Sequence, residues 1–380
     1  MQPTLYRRYL MGKIDWSDRL IGIKGARGVG KTTLLLQYAK DNFKECDKKC
    51  LYINLNNFYF TECSLVEFAG KFVAMGGETL LVDQVFKYPE WSQELRMCYD
   101  LYPNLKIIFT GSSVMKLKES NLYIGDVVHS YNLYGFSFRE YIGAIANIEL
   151  PFFTINQIVS NHQTLVDVVL KQVDVERYFA DYIHHGYYPF FFEKRNYSEN
   201  LLKTMNMMLE VDILYIQQIE QSYLTKIRKL FYLLAIQSPA TPNVSQLSID
   251  CGISRATVMN YMKYLQDARL INMLYKQGCG FPKKPDMIYM NNTNIMFPTK
   301  RINVERGALN ETFFYNQVKV AGSVRKGDRK YQFSVNDTYH FRIELENRKY
   351  TKSHARYVVV DEMKTKENNV IPLWLFGFLY

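Results

Sequence analysis

Cysteine is scarce in this 380-residue chain, and none of its six cysteines is part of a C-x-x-C pair. Such sparse thiols exclude a disulfide framework and indicate a reducing compartment. Cys46 and Cys50 lie close together, but no nearby His or Cys supplies the two further ligands that zinc needs. The most apolar run, residues 374–380, is too short to span a bilayer, and the N-terminus lacks the apolar core of a signal peptide. We therefore expect a cytoplasmic protein without a membrane partner.

Positive charge is unevenly distributed along the chain. The formal net charge is +10, and residues 276–330 hold eleven Lys or Arg against four Asp or Glu. A basic stretch of this kind suits a polyanion such as DNA or RNA, because its phosphate contacts release counterions. From charge alone, a solvated surface without a partner is an equal alternative. With 48% apolar residues, the length allows two or three domains with ordinary cores.

The first 150 residues alternate strand-like apolar runs with amphipathic stretches. This alternation predicts βαβ units, a parallel sheet and helices on its faces, so we expect an α/β fold in residues 1–150. The predicted strands are residues 20–24, 50–55, 80–83 and 106–110, and a helix is predicted at residues 33–40.

The rest of the chain changes pattern twice. Apolar residues at three and four spacing, as in residues 201–216, predict an all-helical lid over residues 151–225. Residues 226–275 predict three short helices, with a glycine turn at Gly252 and a helix cap at Ser254. Residues 276–380 predict a last α/β unit, whose strands are expected at residues 287–290, 331–335, 339–345, 357–360 and 372–380.

A phosphate-binding loop follows the first predicted strand. Residues 25–32 match G-x-x-x-x-G-K-[ST] in full and precede a helical pattern, as the P-loop motif requires. Glycines let backbone N–H groups approach phosphate oxygens, Lys31 reaches the β- and γ-phosphates, and Thr32 ligates Mg²⁺. The sequence therefore predicts ATP and Mg²⁺ as cofactors. The expected nucleotide-binding residues are Gly25, Ala26, Arg27, Gly28, Val29, Gly30, Lys31, Thr32 and Thr33.

Two later segments complete the predicted site. Residues 79–83 form an apolar strand that ends in Asp83, from which a carboxylate can reach the magnesium shell. We therefore expect Thr32 and Asp83 at the metal, and Lys31, Asp83, Gln84 and Ser112 as the catalytic residues. The hydroxyl of Ser112 or Ser113 either senses the γ-phosphate or positions water, although a helix N-cap is an equal alternative.

Together these segments resemble bacterial and archaeal AAA-type ATPases in which a P-loop domain precedes a C-terminal domain of uncharacterised function. The resemblance covers nearly the whole chain. It implies an AAA-like ATPase core, a helical lid, a winged helix at residues 226–275 and a nuclease-like ending at residues 276–380. The matching motifs are residues 25–33, 81–85, 88–91, 110–113, 135–141, 186–189 and 371–380.

Gln84 departs from this family, whose members usually place Glu after the Walker-B Asp. An amide cannot act as general base, so we expect ATP to bind while hydrolysis is impaired. Such a change is either natural or an engineered trap of the ATP-bound state, and the intact remainder of the site favours the second. We therefore expect the parent protein, from which such a trap would have been made, to be an active ATPase.

The resemblance also implies an oligomer in which a neighbouring subunit donates an arginine. Arg139 and Arg177 are candidates by position, and pairing with Glu140 or Glu176 is the alternative for each. In the second helix of the predicted helix-turn-helix, an apolar face opposes a polar one, which suits contact with DNA. The apolar face comprises Val258, Met262 and Leu265, and the polar face comprises Arg255, Thr257, Asn260 and Lys263.

The predicted nuclease-like ending lacks a clean set of catalytic residues. Asp328 or Asp337 can supply a first acid, but Arg342 and Glu346 stand where an acid and a lysine are expected, which would cripple metal-dependent cleavage. We therefore expect a degenerate nuclease fold. The leading hypothesis is a homo-oligomeric ATPase whose nucleotide state controls DNA engagement. The alternative is an ATP-gated switch that binds a protein partner with little turnover.

Overall fold

The computed structural model describes residues 6–45, 47–117, 121–193, 195–299, 304–345 and 356–380. Within these residues the chain forms two compact units. The first comprises Met1–Gly135 together with Val211–Gln218, and the second comprises Phe136–Glu210 and Ile219–Tyr380. The predicted domain boundaries at residues 150, 225 and 275 stay predictions.

The first unit contains a five-stranded, fully parallel sheet in the order β2-β3-β4-β1-β5. All five residues of β3 are buried, as expected for an apolar strand covered on both faces. The four predicted strands are present, and β5 is an additional strand. The strands are β1 Leu20–Gly25, β2 Cys50–Asn54, β3 Thr79–Asp83, β4 Lys106–Ser112 and β5 His129–Asn132, and the α-helices are α1 Lys31–Asn42, α2 Leu65–Ala74 and α3 Trp91–Leu101.

The second unit begins with helices, as the apolar spacing predicts. Ser137 and Thr154 start the first two helices with capping boxes, in which side chain and backbone exchange hydrogen bonds. After the fourth helix, Met208–Tyr215 forms a π-helix that continues the chain into the first unit. The α-helices are α4 Phe138–Ala146, α5 Ile155–Leu170, α6 Val175–His185 and α7 Tyr197–Met207.

Three further helices and a two-stranded antiparallel hairpin follow. Gly252 adopts a left-handed φ of 60°, and the Ser254 side chain accepts the Thr257 N–H, so the predicted turn and cap are both present. The helices are α8 Leu224–Gln237, α9 Val244–Cys251 and α10 Arg255–Asp267, and the hairpin strands are β6 Ile271–Leu274 and β7 Met287–Met290.

The C-terminal part is a five-stranded mixed sheet in the order β12-β11-β10-β9-β8. The pairs β8–β9 and β9–β10 are antiparallel, whereas β10, β11 and β12 run parallel. The elements are α11 Met296–Thr299, α12 Arg306–Ala321, β8 Val324–Lys326, β9 Phe333–Val335, β10 Tyr339–Glu344, β11 Tyr357–Val360 and β12 Val370–Pro372. Short 3₁₀ helices occur at Tyr9–Gly12, Phe58–Thr61, Val85–Lys87, Pro189–Glu193, Gln221–Tyr223 and Leu373–Phe378.

The strand predicted at residues 372–380 is wrong. The strand ends at Pro372, and Leu373–Phe378 forms a 3₁₀ helix whose residues are all buried. An uninterrupted apolar run has no periodicity, so it does not distinguish a buried strand from a buried helix. No helix in the described part of the chain is long and apolar enough to cross a lipid bilayer.

Candidate nucleotide site

The predicted phosphate-binding loop joins the end of β1 to the start of α1. Gly30 precedes α1 with a φ of 99°, a left-handed conformation that side chains with a Cβ rarely adopt. A Cβ on Gly25 would lie 2.3 Å from the Leu133 carbonyl oxygen, so this position has no room for a side chain. The glycines of the motif are therefore required by the local backbone, before any ligand is considered.

Arg8, in the N-terminal segment, forms hydrogen bonds that join this loop to residues 134 and 135. Its guanidinium donates to the carbonyl oxygen of Val29 at 3.0 Å, and also to those of Tyr134 at 2.8 Å and Gly135 at 3.1 Å. The side chain is buried at 7% exposure. Sequence reasoning missed Arg8, because no motif connects an isolated N-terminal arginine with a loop twenty residues later.

Lys31 lies across the loop that precedes it. Its Nζ donates to the carbonyl oxygens of Gly25 at 2.9 Å and Ala26 at 2.8 Å. Desolvation by burial lowers the pKa of Lys31 to about 8, while the carboxylates of Asp212 and Asp83 oppose that shift. A phosphate that takes over these hydrogen bonds would also supply the negative charge that stabilises the ammonium.

Asp83 is the hub of a hydrogen-bond network at the C-terminal end of β3. Its Oδ2 accepts from the hydroxyls of Thr32 at 2.7 Å and Tyr52 at 2.9 Å. Its Oδ1 accepts from the Thr110 hydroxyl and from the backbone N–H of Gln84 at 3.1 Å. The two predicted metal ligands, Thr32 and Asp83, are thus hydrogen-bonded to each other, whereas Tyr52 and Thr110 were missed.

The residues at this hub fit a magnesium ion. The Thr32 hydroxyl directs its proton to Asp83, so its lone pairs stay available for a cation beside the loop. Hydroxyl and carboxylate oxygens are ligands that Mg²⁺ prefers, with phosphate oxygens completing its shell. Among the described residues, no group of three or more His, Cys, Asp and Glu side chains could hold a metal ion. Two protein oxygens fill only part of the shell of Mg²⁺, so an ion here would share its coordination with the nucleotide phosphates.

Gln84 follows this hub in a left-handed conformation with a φ of 58°. Its N–H is held by Asp83 and by the Thr110 hydroxyl at 3.0 Å, so the backbone position is fixed independently of the side chain. Ser112 ends β4 and is buried at 2% exposure, and its hydroxyl accepts from the Val114 N–H at 3.5 Å. No helix begins between Ser113 and residue 117, so the N-cap alternative is wrong.

Arg27 connects the loop to a distant part of the sequence. Its Nε donates to Oδ2 of Asp212 at 3.0 Å, and the Asp212 side chain is only 4% exposed. Asp212 belongs to the π-helix, in the segment that packs with the first unit. π-Helical turns are rare in proteins overall but are often found at functional sites. This buried acid beside the phosphate loop is therefore a further candidate site residue. No sequence motif identifies it.

The two candidate arginines of the second unit differ in accessibility. Arg139 is buried at 7% exposure and donates to the main-chain oxygens of Tyr380 at 2.9 Å and Leu150 at 3.1 Å. An arginine held in this way cannot reach a neighbouring subunit, so that prediction is wrong for Arg139. Arg177 is exposed on α6.

The predicted DNA-contacting helix is α10. Val258, Met262 and Leu265 are fully buried, whereas Arg255 and Asn260 are exposed, as the two predicted faces require. Lys263 forms an ion pair with Asp267 at 2.6 Å.

The basic stretch at residues 276–330 is less available to a polyanion than its composition indicates. Lys319 is only partly exposed, desolvation holds its pKa well below the usual range, and its Nζ donates to Oδ1 of Asn272 at 3.1 Å. Three further members form ion pairs, namely Lys276 with Asp286, Arg306 with Asp361 and Arg325 with Asp337. Lys300 and Arg301 lie outside the described residues. In the same hairpin loop as Lys276, Lys283 and Lys284 are also exposed.

The residues considered for a nuclease site do not form one. Asp337 pairs with Arg325 at 3.4 Å, and Glu344 pairs with Arg342 at 2.7 Å on the same strand. Asp328 accepts from the backbone N–H of Lys330 in a turn, and Glu346 lies outside the described residues. These pairs occupy the carboxylates that would have to bind a metal.

The lowered pKa of Lys31 predicts a pH dependence of ATP binding. Below about pH 8 the free protein already carries the ammonium, whereas above it a proton must be taken up on binding. Affinity should therefore fall by up to about tenfold per pH unit above pH 8, until the pKa of the bound state is reached. Calorimetry in buffers of different ionisation enthalpy measures this proton uptake.

Two variants sharpen the pH experiment. Lys31→Arg keeps its charge over the whole range, so its weaker binding should be nearly independent of pH. Asp212→Asn removes a carboxylate that raises the pKa of Lys31. In this variant the affinity for ATP should therefore begin to fall at a lower pH. A flat affinity between pH 7 and 10 in the unchanged protein would contradict the prediction.

Comparisons with known proteins find similarity in two separate segments. Residues 17–142 match the sequence family described as AAA domain, and residues 176–286 match a domain of unknown function (DUF8612). No protein with curated annotation matches the sequence.

The structure is also similar to solved structures at low identity. An Orc1 protein of Aeropyrum pernix in complex with DNA is 10% identical over 78% of this chain and 86% of its own, with a TM-score of 0.31. A DNA polymerase III gamma subunit-related protein of Thermotoga maritima is 10% identical over 66% and 94%, with a TM-score of 0.28. PCH-2 of C. elegans is 16% identical over 67% and 62%, with a TM-score of 0.24. These scores are too low to carry a functional argument.

Proposed function

We propose that this chain, which carries an AAA-type P-loop ATPase domain and a separate C-terminal domain of unknown function, binds ATP with Mg²⁺ and couples its nucleotide state to DNA engagement. The observation that carries the proposal is the joining of the Thr32 hydroxyl to the Asp83 carboxylate at 2.7 Å beside the glycine loop. This contact supports the proposal, because it joins the two proposed magnesium ligands beside the residues that would hold the phosphates.

Within this proposal, the loop N–H groups and Lys31 bind and orient the phosphates. Thr32 and Asp83 hold Mg²⁺, which when bound neutralises charge on the phosphoryl group. Gln84 can orient an attacking water but cannot accept its proton, so the bound state should persist. Ser112 is proposed as a catalytic residue from its place at the end of β4.

The DNA part of the proposal rests on residues 226–290. Helices α8 to α10 and the hairpin β6–β7 have the element order of a winged helix. Arg255 on α10 and Lys283 and Lys284 in the hairpin loop are exposed cations. A recognition helix with a basic wing suits phosphate contacts along duplex DNA.

The test is duplex DNA affinity with and without Mg²⁺-ATP at several salt concentrations. Slow hydrolysis makes the ATP-bound state accessible at equilibrium, and coupled sites typically change affinity by about 5- to 150-fold. Lys283→Ala/Lys284→Ala should weaken binding and lower the salt slope by about 2, because each lost phosphate contact releases fewer counterions. The charge-matched control is Lys48→Ala/Lys171→Ala, which removes two exposed lysines elsewhere.

Two outcomes would overturn parts of this proposal. Equal DNA affinity with and without ATP would remove the coupling and favour the protein-binding switch. Equal salt slopes for the two double variants would remove the wing from the interface. The homo-oligomer implied by the resemblance is tested in the same samples by measuring particle mass with and without ATP.

A further inference from the structure

A cavity lies wholly within the second unit. It has a volume of about 890 Å³, is partly open to solvent, and is bordered by α4, α6, the 3₁₀ helix at Pro189–Glu193 and the start of α7. This volume lies in the range of small-molecule sites, about 300–1,000 Å³. The polar side chains of its wall are Arg177, Asp181, His185, Arg195, Asn196, Ser198 and Glu199, and aromatic side chains complete it.

The charged side chains of the cavity wall are two arginines and two carboxylates, and both carboxylates already have partners. Asp181 already accepts from the Tyr141 hydroxyl and from Nδ1 of His185 at 3.0 Å, and Glu199 pairs with Lys203 at 2.8 Å. By contrast, within the part of the chain that the structure describes, Arg177 and Arg195 form no side-chain hydrogen bond or ion pair. Both acids are thus engaged while two guanidinium groups border the cavity unpaired, which favours an anionic ligand.

The rest of the wall is aromatic and held in place by packing. The Phe190 ring stacks on Tyr188 at 5.6 Å between centroids, with 9° between the ring planes. Tyr178 lies beneath the Arg177 guanidinium at 5.5 Å. Rigid ring faces next to cations suit a ligand with both a planar group and a negative group, since nucleobases stack on aromatic side chains and phosphates pair with arginine.

We propose that this cavity binds a nucleoside phosphate, with its phosphate on Arg177 and Arg195 and its base against the rings of Tyr178 and Phe190. A free nucleotide and a nucleotide unit of single-stranded nucleic acid share this chemistry. A phosphorylated peptide fits less well, because most such peptides lack the planar group that matches the aromatic wall. The site is separate from the P-loop and does not depend on the function proposed for it.

The experiment uses the full chain carrying Lys31→Ala, which disables the P-loop so that any remaining nucleotide binding reports the second site. The probes are AMP, inorganic phosphate and a short 5′-phosphorylated oligodeoxythymidine, each titrated by calorimetry or fluorescence. Arg177→Ala/Arg195→Ala should weaken AMP or oligonucleotide binding by at least about tenfold, because charge-assisted bonds to phosphate are lost. The control Lys48→Ala/Lys171→Ala makes the same charge change outside the cavity. It should change the affinity for AMP or the oligonucleotide by less than about twofold.

Tyr178→Ala tests the base part of the proposal. This variant should lower the affinity for AMP several-fold, because the stacking of the base is lost, and should leave the weak binding of inorganic phosphate unchanged. Arginine-dependent binding of AMP identifies a free-nucleotide site, and such binding of the oligonucleotide alone identifies a strand site. Unchanged affinity of both probes in the double arginine variant, or AMP and the oligonucleotide both binding no better than phosphate, would overturn the proposal. The arginines and Tyr178 are not core residues, so thermal unfolding should match that of the Lys31→Ala protein.

Discussion

Gln84→Glu should raise ATP turnover by about 10²- to 10⁴-fold, the usual contribution of a positioned general base. The two side chains have nearly the same shape, and the backbone at this position is held by hydrogen bonds of its N–H to Asp83 and Thr110. The substitution therefore supplies a carboxylate without moving the residue. ATP affinity should change little, because the phosphate-binding loop and its lysine are untouched.

The measurement is steady-state phosphate release, with ATP affinity determined in parallel. Lys31→Ala combined with Gln84→Glu is the control, since it should abolish turnover by removing phosphate binding while keeping the new carboxylate. Adding duplex DNA at low and moderate salt shows whether turnover is coupled to DNA binding. A Glu variant that binds ATP normally but hydrolyses no faster would contradict the general-base assignment and favour an ATP-gated switch.

Local signals predicted the core of the nucleotide site. The eight residues of the loop motif supply glycine both at Gly25, where a Cβ has no room, and at Gly30, where the backbone is left-handed. An apolar strand ending in Asp83 places its carboxylate at the sheet edge. Both signals lie within short segments, where periodicity and residue type determine local structure. The pairing of the two segments then follows from the parallel sheet, because its strands end on the same side.

Residues that reach the site from elsewhere were not predictable in this way. Asp212 lies 185 residues from its partner Arg27, in a segment whose apolar spacing indicated an ordinary helix. The structure instead has a π-helix there, with Asp212 buried against the loop. Arg8, Tyr52 and Thr110 belong to the same class, since their contacts depend on tertiary packing. Composition also overstated the basic surface, because it cannot show that Lys319 is partly buried and hydrogen-bonded to Asn272.

Asp83→Ala should lower the free energy of unfolding by about 3 kcal/mol even without nucleotide. The carboxylate is 1% exposed and accepts from the hydroxyls of Thr32, Tyr52 and Thr110 and from the Gln84 N–H. Alanine leaves these donors without an acceptor in a buried space, and each unsatisfied donor costs about 1–3 kcal/mol, reduced here where water can enter. Denaturant unfolding in the absence of ATP and Mg²⁺ measures this loss.

Two comparisons separate the structural role of Asp83 from its role at the metal. Asp83→Asn keeps one acceptor oxygen, so it should be less destabilising than alanine, yet without the charge it should lose most of the enhancement of ATP binding by Mg²⁺. Glu78→Ala removes an exposed carboxylate next to the same strand, paired only with Lys49 at the surface, and should leave stability nearly unchanged. If Asp83→Ala were as stable as Glu78→Ala, the Asp83 carboxylate could not be the acceptor that joins the phosphate loop to strands β2 and β4. If Asp83→Asn kept its magnesium dependence, the metal would have to be held by Thr32 and the phosphates alone.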